Sequence, residues 1–100
     1  MTEAERSELA GYIAPLRHLL VAFAQGAITG VLFESEFFRI YQTLEGIPSP
    51  AVFEVIERYF GDVDDYVSDP NLREGPGDLT TDELRARTVA LLEIAATQVT

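Results

Sequence analysis

The chain has 100 residues, of which 47% are hydrophobic, and its 17 acidic and seven basic residues give a net charge of −10. This much apolar material in one domain's length predicts a single folded core, not a disordered acidic tail. Cysteine is absent, which excludes disulfides and Cys-type metal sites, and the negative charge argues against binding nucleic acid or an anionic membrane.

The first helix is predicted from a capping box, in which Thr2 caps the helix and Glu5 reaches back to it. Apolar residues at spacings of three and four then run as far as Phe23, and Gly26 suits the position just after a helix end. Pro15 removes one helical hydrogen bond. We therefore expect residues 1–14 to be a leader or the kinked start of the first helix, ahead of a bundle over residues 15–99.

Two further helices follow, each with its own start and stop signals. Thr29 is the expected N-cap of the second helix, which we expect to end at Gly46. Ser49 is expected to cap the third helix with Pro50 at the first helical position, and this helix is predicted to reach Gly61.

Residues 61–79 have the composition of a long loop, and a loop of this length in a compact domain is more often functional than not. A second capping box, Thr80 with Glu83, starts the last helix, which is predicted to run to the C-terminus. Short connections between amphipathic helices predict an all-α, antiparallel four-helix bundle in one domain, 1–100, with a long acidic loop between the third and fourth helices.

The negative charge is concentrated in residues 54–83, which hold ten acids and two bases. Tyr59, Phe60 and Tyr66 lie among these acids, and aromatic residues in a charged surface often anchor protein interfaces. The pattern predicts a surface for a basic protein partner, although a solvated loop beside two acidic helix ends would have the same composition. The candidate partner-binding residues are Glu54, Glu57, Asp62, Asp64, Asp65, Tyr66, Asp69, Glu74 and Asp78.

Other chemistry finds little support in the sequence. A calcium loop starting at Asp62 would need glycine at Val67 and glutamate at Arg73, so the EF-hand pattern fails. The single histidine, His18, has no second ligand and is expected on a helix surface, and no nucleophile or phosphate-binding motif occurs. Glu34 and Glu36, two residues apart on a helix, point to different faces. We expect no enzyme, no metal and no cofactor.

Three stretches in order resemble a known family. They are Leu19-Leu20-Val21-Ala22-Phe23-Ala24-Gln25-Gly26-Ala27-Ile28-Thr29 with Phe33-Glu34-Ser35-Glu36-Phe37, Ile56-Glu57-Arg58-Tyr59-Phe60-Gly61-Asp62-Val63-Asp64, and Leu79-Thr80-Thr81-Asp82-Glu83-Leu84-Arg85. Across residues 16–98 the chain resembles the colicin-like bacterial self-protective immunity proteins, of the colicin D immunity protein type.

The resemblance implies a non-enzymatic helical protein that binds and blocks a bacteriocin-type toxin, expected to be a basic tRNA-cleaving ribonuclease domain. By position, Glu57 and Asp62 best match acids that face toxin cations, followed by Asp64 and Asp65. The assignment of the acids at 69, 74 and 78 rests on charge alone. Residues before Pro15 fall outside the family pattern.

The alternative is a helical adaptor or regulator that binds another basic protein, and the neighbouring genes would separate the two hypotheses. A monomer is favoured over an oligomer. The acidic start lacks the basic region of a signal peptide, and no apolar stretch approaches the ~18 residues of a membrane span, so a cytoplasmic location is expected.

Overall fold

The computed structural model describes residues 2–66 and 79–96, and these ranges are mainly helical. The helices are α1 (Glu3–Tyr12), α2 (Arg17–Ala24), α3 (Gly30–Tyr41), α4 (Pro50–Asp64) and α5 (Thr81–Ala95). No strand occurs in these ranges, where the sheet-like contact is an isolated bridge between Tyr66 and Leu79. The all-α prediction is confirmed, but five helices replace the expected four, and the antiparallel four-helix bundle remains a prediction.

The additional helix arises at Pro15, which lies in a single 3-10 turn, Ala14–Leu16, between α1 and α2. Proline has no amide hydrogen and its ring clashes with the preceding turn, so a continuous helix would be strained here. Of the two predicted outcomes, division is the one observed. The leader helix is still part of the core, because α1 packs against α4 and α5 and its Leu9 has no exposed surface.

The predicted helix starts are confirmed in detail. The Thr2 hydroxyl accepts a hydrogen bond from the Glu5 amide at 3.1 Å, and the Glu5 carboxylate accepts one from the Thr2 amide at 2.8 Å. Thr80 and Glu83 repeat this box at 3.1 and 3.0 Å. Thr29 caps α3 by accepting from the Leu32 amide at 3.2 Å. Each cap satisfies amide hydrogens that have no partner within the helix.

The end of α2 is a Schellman motif centred on Gly26, as its position predicts. The Gly26 amide donates to the Phe23 carbonyl at 3.0 Å, and the Ala27 amide donates to the Ala22 carbonyl at 2.8 Å. Gly26 has φ of 76°, a left-handed conformation that glycine adopts without a Cβ penalty.

Three predicted helix ends are wrong. Helix α3 ends at Tyr41, before Gly46, and α5 ends at Ala95 instead of continuing to the C-terminus. Helix α4 continues past Gly61 to Asp64, so Asp62 and Asp64 lie on a helix and not in a loop. Glycine costs a helix only about 1 kcal/mol, and the full burial of Val63 outweighs this cost.

Ser49 occupies the N-cap position of α4 with Pro50 after it, but its side chain makes no capping bond. Its hydroxyl is buried and has no hydrogen-bond partner in the described part of the chain. The Ser49 amide instead donates to the Glu8 carboxylate of α1 at 2.5 Å. A carboxylate beside the positive end of a helix is stabilising, so Glu8 of α1 stabilises the start of α4 although the expected serine cap does not form.

The core is built from one apolar side of each helix. Phe23 and Phe33 stack at 4.2 Å between ring centroids, and Phe37 lies 5.8 Å from Phe33. The largest fully buried side chains are Phe23, Phe33, Phe37, Leu9, Leu20, Leu84, Val52, Val63 and Thr88. Phe37, with 1% of its surface exposed, is therefore a core residue. No helix of the described part is long and apolar enough to cross a membrane.

Candidate partner-binding surface

Helix α4 carries four of the six predicted contact residues that the structure describes, Glu54, Glu57, Asp62 and Asp64. On the side of α4 that faces α5, the polar side chains are bonded within the molecule. The Tyr59 hydroxyl lies 2.6 Å from the Thr88 hydroxyl, which donates to the Leu84 carbonyl at 2.9 Å. At the rim, Asp62 and Arg87 form an ion pair at 2.9 Å. Arg58 and Arg87 both line the groove between the two helices, so this side is not purely acidic.

The rest of α4 presents acids to solvent. Glu54, Glu57, Asp64 and Asp65 are all exposed, and we call these four residues the acidic face. Glu54 pairs with Arg58 at 3.3 Å, and both side chains are more than 70% exposed, a geometry that contributes little stability. Within the described residues, no cation forms an ion pair with Glu57, Asp64 or Asp65. Of the acidic face, Glu54 is thus the one residue with an ion pair in the described part of the chain.

Two predicted contact residues lie elsewhere. The side chain of Asp62 is only 16% exposed and is paired with Arg87. Tyr66 is 4% exposed, and its hydroxyl lies 2.8 Å from the Thr81 hydroxyl of α5. A Cβ placed on Gly30 would lie 1.9 Å from the Tyr66 oxygen, so this ring rests directly on the first residue of α3. Tyr66 is thus a core residue that joins three helices.

The predicted contacts Asp69, Glu74 and Asp78 lie outside the described residues, and their assignment stays a prediction from charge.

Helix α3 contributes a row of residues that the sequence reasoning did not assign to the surface. Glu34, Phe38 and Tyr41 recur at spacings of four and three, which places them on one side of the helix. This side faces α4: Phe60 lies 5.4 Å from Phe38 and 4.9 Å from Tyr41 between ring centroids. The spacing was readable in the sequence, but it indicates a buried stripe equally well, and only the packing distinguishes the two cases.

Electrostatics place carboxylates at both ends of this row. Burial raises the pKa of the Glu34 carboxyl, and the negative charge of Asp64 raises that pKa further. Burial also raises the pKa of the Tyr41 hydroxyl, with smaller contributions from the charge of Glu57 and from Tyr12. The charge of Asp64 thus acts on Glu34 at one end of the row, and the charge of Glu57 acts on Tyr41 at the other end.

The remaining candidate residues form no metal site in the described ranges. No group of three or more His, Asp or Glu side chains there could hold a metal ion. His18 is exposed on α2, as its helical position predicts. Glu36 forms an ion pair with Arg39 at 2.5 Å, whereas Glu34 lies beside α4, so the two acids do lie on different faces.

Comparison with known proteins identifies the family. Residues 13–94 match the family model described as bacterial self-protective colicin-like immunity, and the chain therefore belongs to that family. No curated protein and no solved structure matches the chain significantly. The family resemblance predicted from the sequence is confirmed, and α1, which ends at Tyr12, precedes the matched residues. Membership indicates an inhibitor of a colicin-like toxin and not an enzyme.

Proposed function

We propose that this protein protects its host by binding a cognate colicin-like toxin domain and covering that domain's nucleic-acid site with the acidic face. The observation that carries the proposal is the lack of cations on Glu57, Asp64 and Asp65 within the described residues, although Asp62 on the same helix is paired. Unneutralised carboxylates on a rigid helix attract a cationic partner at long range and dock it at short range.

The toxin that fits this surface best is a basic nuclease, and we propose a tRNA-cleaving ribonuclease. Carboxylates pair with Arg and Lys much as phosphates do, with two parallel hydrogen bonds where the partner is Arg. The acidic face would thus occupy the groove that holds the RNA backbone. A few desolvated pairs would set the dissociation rate, and the remaining charge would accelerate association at low salt.

Asp62 and Tyr66 have a different part in this proposal. Asp62 would have to leave Arg87 to reach a toxin cation, and Tyr66 would have to leave the core. We assign both to the support of α4 and not to direct contact. The protein acts in the cytoplasm as a monomer in this proposal, since that is where a tRNA-cleaving toxin meets its substrate.

The test is a charge reversal, Asp64→Lys with Asp65→Lys, in cells that co-express the toxin domain encoded beside this gene. Lysine is favourable at the C-terminal end of a helix, so we expect folding to be preserved. We expect protection to be lost and the dissociation constant to rise by about 100-fold or more, as for the loss of two charge-assisted contacts.

The matched control is Glu45→Lys with Glu93→Lys, which changes the net charge equally at two other exposed acids. Glu45 follows α3 at the end of that helix remote from Asp64, and a helix of this length spans about 18 Å. We expect this variant to protect like the wild type. Equal protection by both variants, or a neighbouring operon without any toxin domain, would contradict the proposal.

A further inference from the structure

Three aromatic rings form a partly exposed strip between α3 and α4. Phe38, Tyr41 and Phe60 are all only partly buried, and we call them the aromatic strip. The plane of the Phe60 ring makes an angle of 73° with that of Phe38, an edge-on contact, and 43° with that of Tyr41. The centroid of the Phe37 ring lies 5.5 Å from those of both Phe38 and Tyr41. The buried Phe37 ring therefore supports the strip, and part of each ring of the strip remains exposed to solvent.

Carboxylates flank the strip at both ends. Glu34 lies four residues before Phe38 on α3, and on α4 Glu57 lies three residues before Phe60 and Asp64 four residues after it. Each carboxylate therefore shares a helix face with a ring of the strip. The charge of Asp64 also raises the pKa of Glu34, and that of Glu57 raises the pKa of Tyr41. Arg39, the single arginine of α3, is already paired with Glu36. In the described part of the chain, none of Glu34, Glu57 and Asp64 has a cationic partner. The strip thus combines π-faces, negative charge and partial shielding from water.

The same molecule already binds one arginine with these components. The Arg85 guanidinium lies 5.0 Å from the centroid of the Phe23 ring, and it contacts a carboxylate, Asp82, at 3.3 Å. Its Nε also donates to the Phe23 carbonyl at 2.9 Å at the end of α2. A ring face and a carboxylate together suit the planar guanidinium better than the ammonium group of lysine, which is compact and strongly hydrated.

We propose that the aromatic strip is the docking site for an arginine side chain of the toxin, with the guanidinium stacked on the strip and paired with Glu57 or with the Glu34–Asp64 pair. This inference rests on the proposed function and specifies the chemistry of its partner. It divides the surface into two parts: the acidic face attracts any cation, and the strip selects arginine over lysine at the point of contact.

The experiment titrates the whole protein with three synthetic pentapeptides, acetyl-Gly-X-Gly-X-Gly-amide, in which X is Arg, Lys or citrulline. Binding is followed by NMR shifts of the backbone amides and aromatic protons. We expect the Arg peptide to bind about two- to fivefold more tightly than the Lys peptide, with the largest ring shifts at Phe38, Tyr41 and Phe60. The uncharged citrulline peptide should not bind measurably.

Two sets of variants test the assignment. Phe38→Leu with Phe60→Leu should reduce Arg binding to the level of Lys binding, whereas Phe53→Leu, at a ring that is 51% exposed and has no aromatic contact in the described residues, should not. If the double leucine variant unfolds, Glu34→Gln with Glu57→Gln replaces it, because these changes keep side-chain size and remove the repulsion between Glu34 and Asp64. That pair should weaken Arg binding about threefold or more relative to Glu45→Gln with Glu93→Gln.

Equal affinity for the Arg and Lys peptides, or shifts confined to other parts of the surface, would overturn the arginine assignment. The two proposals fail separately. If the strip variants protect against the toxin as well as the wild type while Asp64→Lys/Asp65→Lys does not, the immunity function stands and the arginine site is wrong. If neither set affects protection, the proposed function is wrong as well.

Discussion

The two sides of α4 use similar residues for opposite purposes. Towards α5, a tyrosine and an aspartate are satisfied inside the molecule, Tyr59 by Thr88 and Asp62 by Arg87. Towards α3, the rings of Phe38, Tyr41 and Phe60 pack against one another and against Phe37. The carboxylates of Glu57 and Asp64 have no cation in the described residues. The first side stabilises the fold, and the second leaves interaction capacity for a partner.

The comparison shows that net charge alone does not identify a binding residue. Asp62 and Asp64 are separated by one residue and carry the same group, yet α5 supplies an arginine to the first and α3 supplies a glutamate to the second. An acid that is already paired within the molecule contributes little to binding, because it must break one ion pair to form another and gains almost no free energy. Availability therefore depends on the neighbouring helix.

The largest loss of stability is expected from Gly30→Ala, which tests the contact between α3 and the Tyr66 ring. A Cβ at this position would lie 1.9 Å from the Tyr66 oxygen and 2.6 Å from its Cζ, so the ring must move and give up its hydrogen bond to Thr81. We expect the free energy of unfolding to fall by about 2–3 kcal/mol in urea denaturation.

Gly11→Ala is the matched control, because a Cβ there meets nothing within 4 Å. Alanine in a helix is favoured over glycine, so this variant should gain about 0.5–1 kcal/mol. Equal effects of the two substitutions would mean that Tyr66 does not rest on α3.

A double-mutant cycle on Tyr59 and Thr88 tests the hydrogen bond on the side of α4 that faces α5. Thr88→Val leaves the buried Tyr59 hydroxyl without its partner and should cost about 2 kcal/mol, while Tyr59→Phe should cost about 1 kcal/mol, since Thr88 retains the Leu84 carbonyl. The double variant should be no less stable than Thr88→Val alone. Strictly additive losses would show that the two hydroxyls do not interact.

The smallest effect concerns Glu34, whose pKa is raised in the fold by burial and by the charge of Asp64. A carboxyl with a raised folded pKa destabilises the fold while it is ionised, and this penalty disappears as the pH falls below its ordinary value of 4.5. Glu34→Gln should therefore gain a few tenths of a kcal/mol at pH 7, after solvent screening, and nothing below pH 4.5.

The measurement is urea denaturation of Glu34→Gln and wild type across this pH range, with Glu45→Gln as the control at an exposed acid. A loss of stability at pH 7 would show that Glu34 has a favourable partner and would remove it from the proposed arginine site.

The sequence determined the parts of the fold that depend on residues close together in the chain. Both capping boxes, the Thr29 cap and the left-handed Gly26 involve neighbours within three or four positions, and each was predicted correctly. The division at Pro15 was one of two stated outcomes, because proline forbids a regular helix locally whatever its surroundings. The family membership was also readable from stretches in order.

Tertiary structure decided what distant residues do to one another. Gly61 was predicted to end α4, but α4 continues to Asp64 with Val63 buried. The Ser49 hydroxyl was predicted to cap α4, but it makes no capping bond, and the Ser49 amide donates to Glu8 of α1. Burial of Val63 depends on the packed core, and Glu8 lies 41 residues from Ser49, so local propensity could reveal neither feature. The same holds for the surface. The sequence shows where acidic residues are abundant, but only the packing of α4 against α3 and α5 decides which of these acids have a cationic partner.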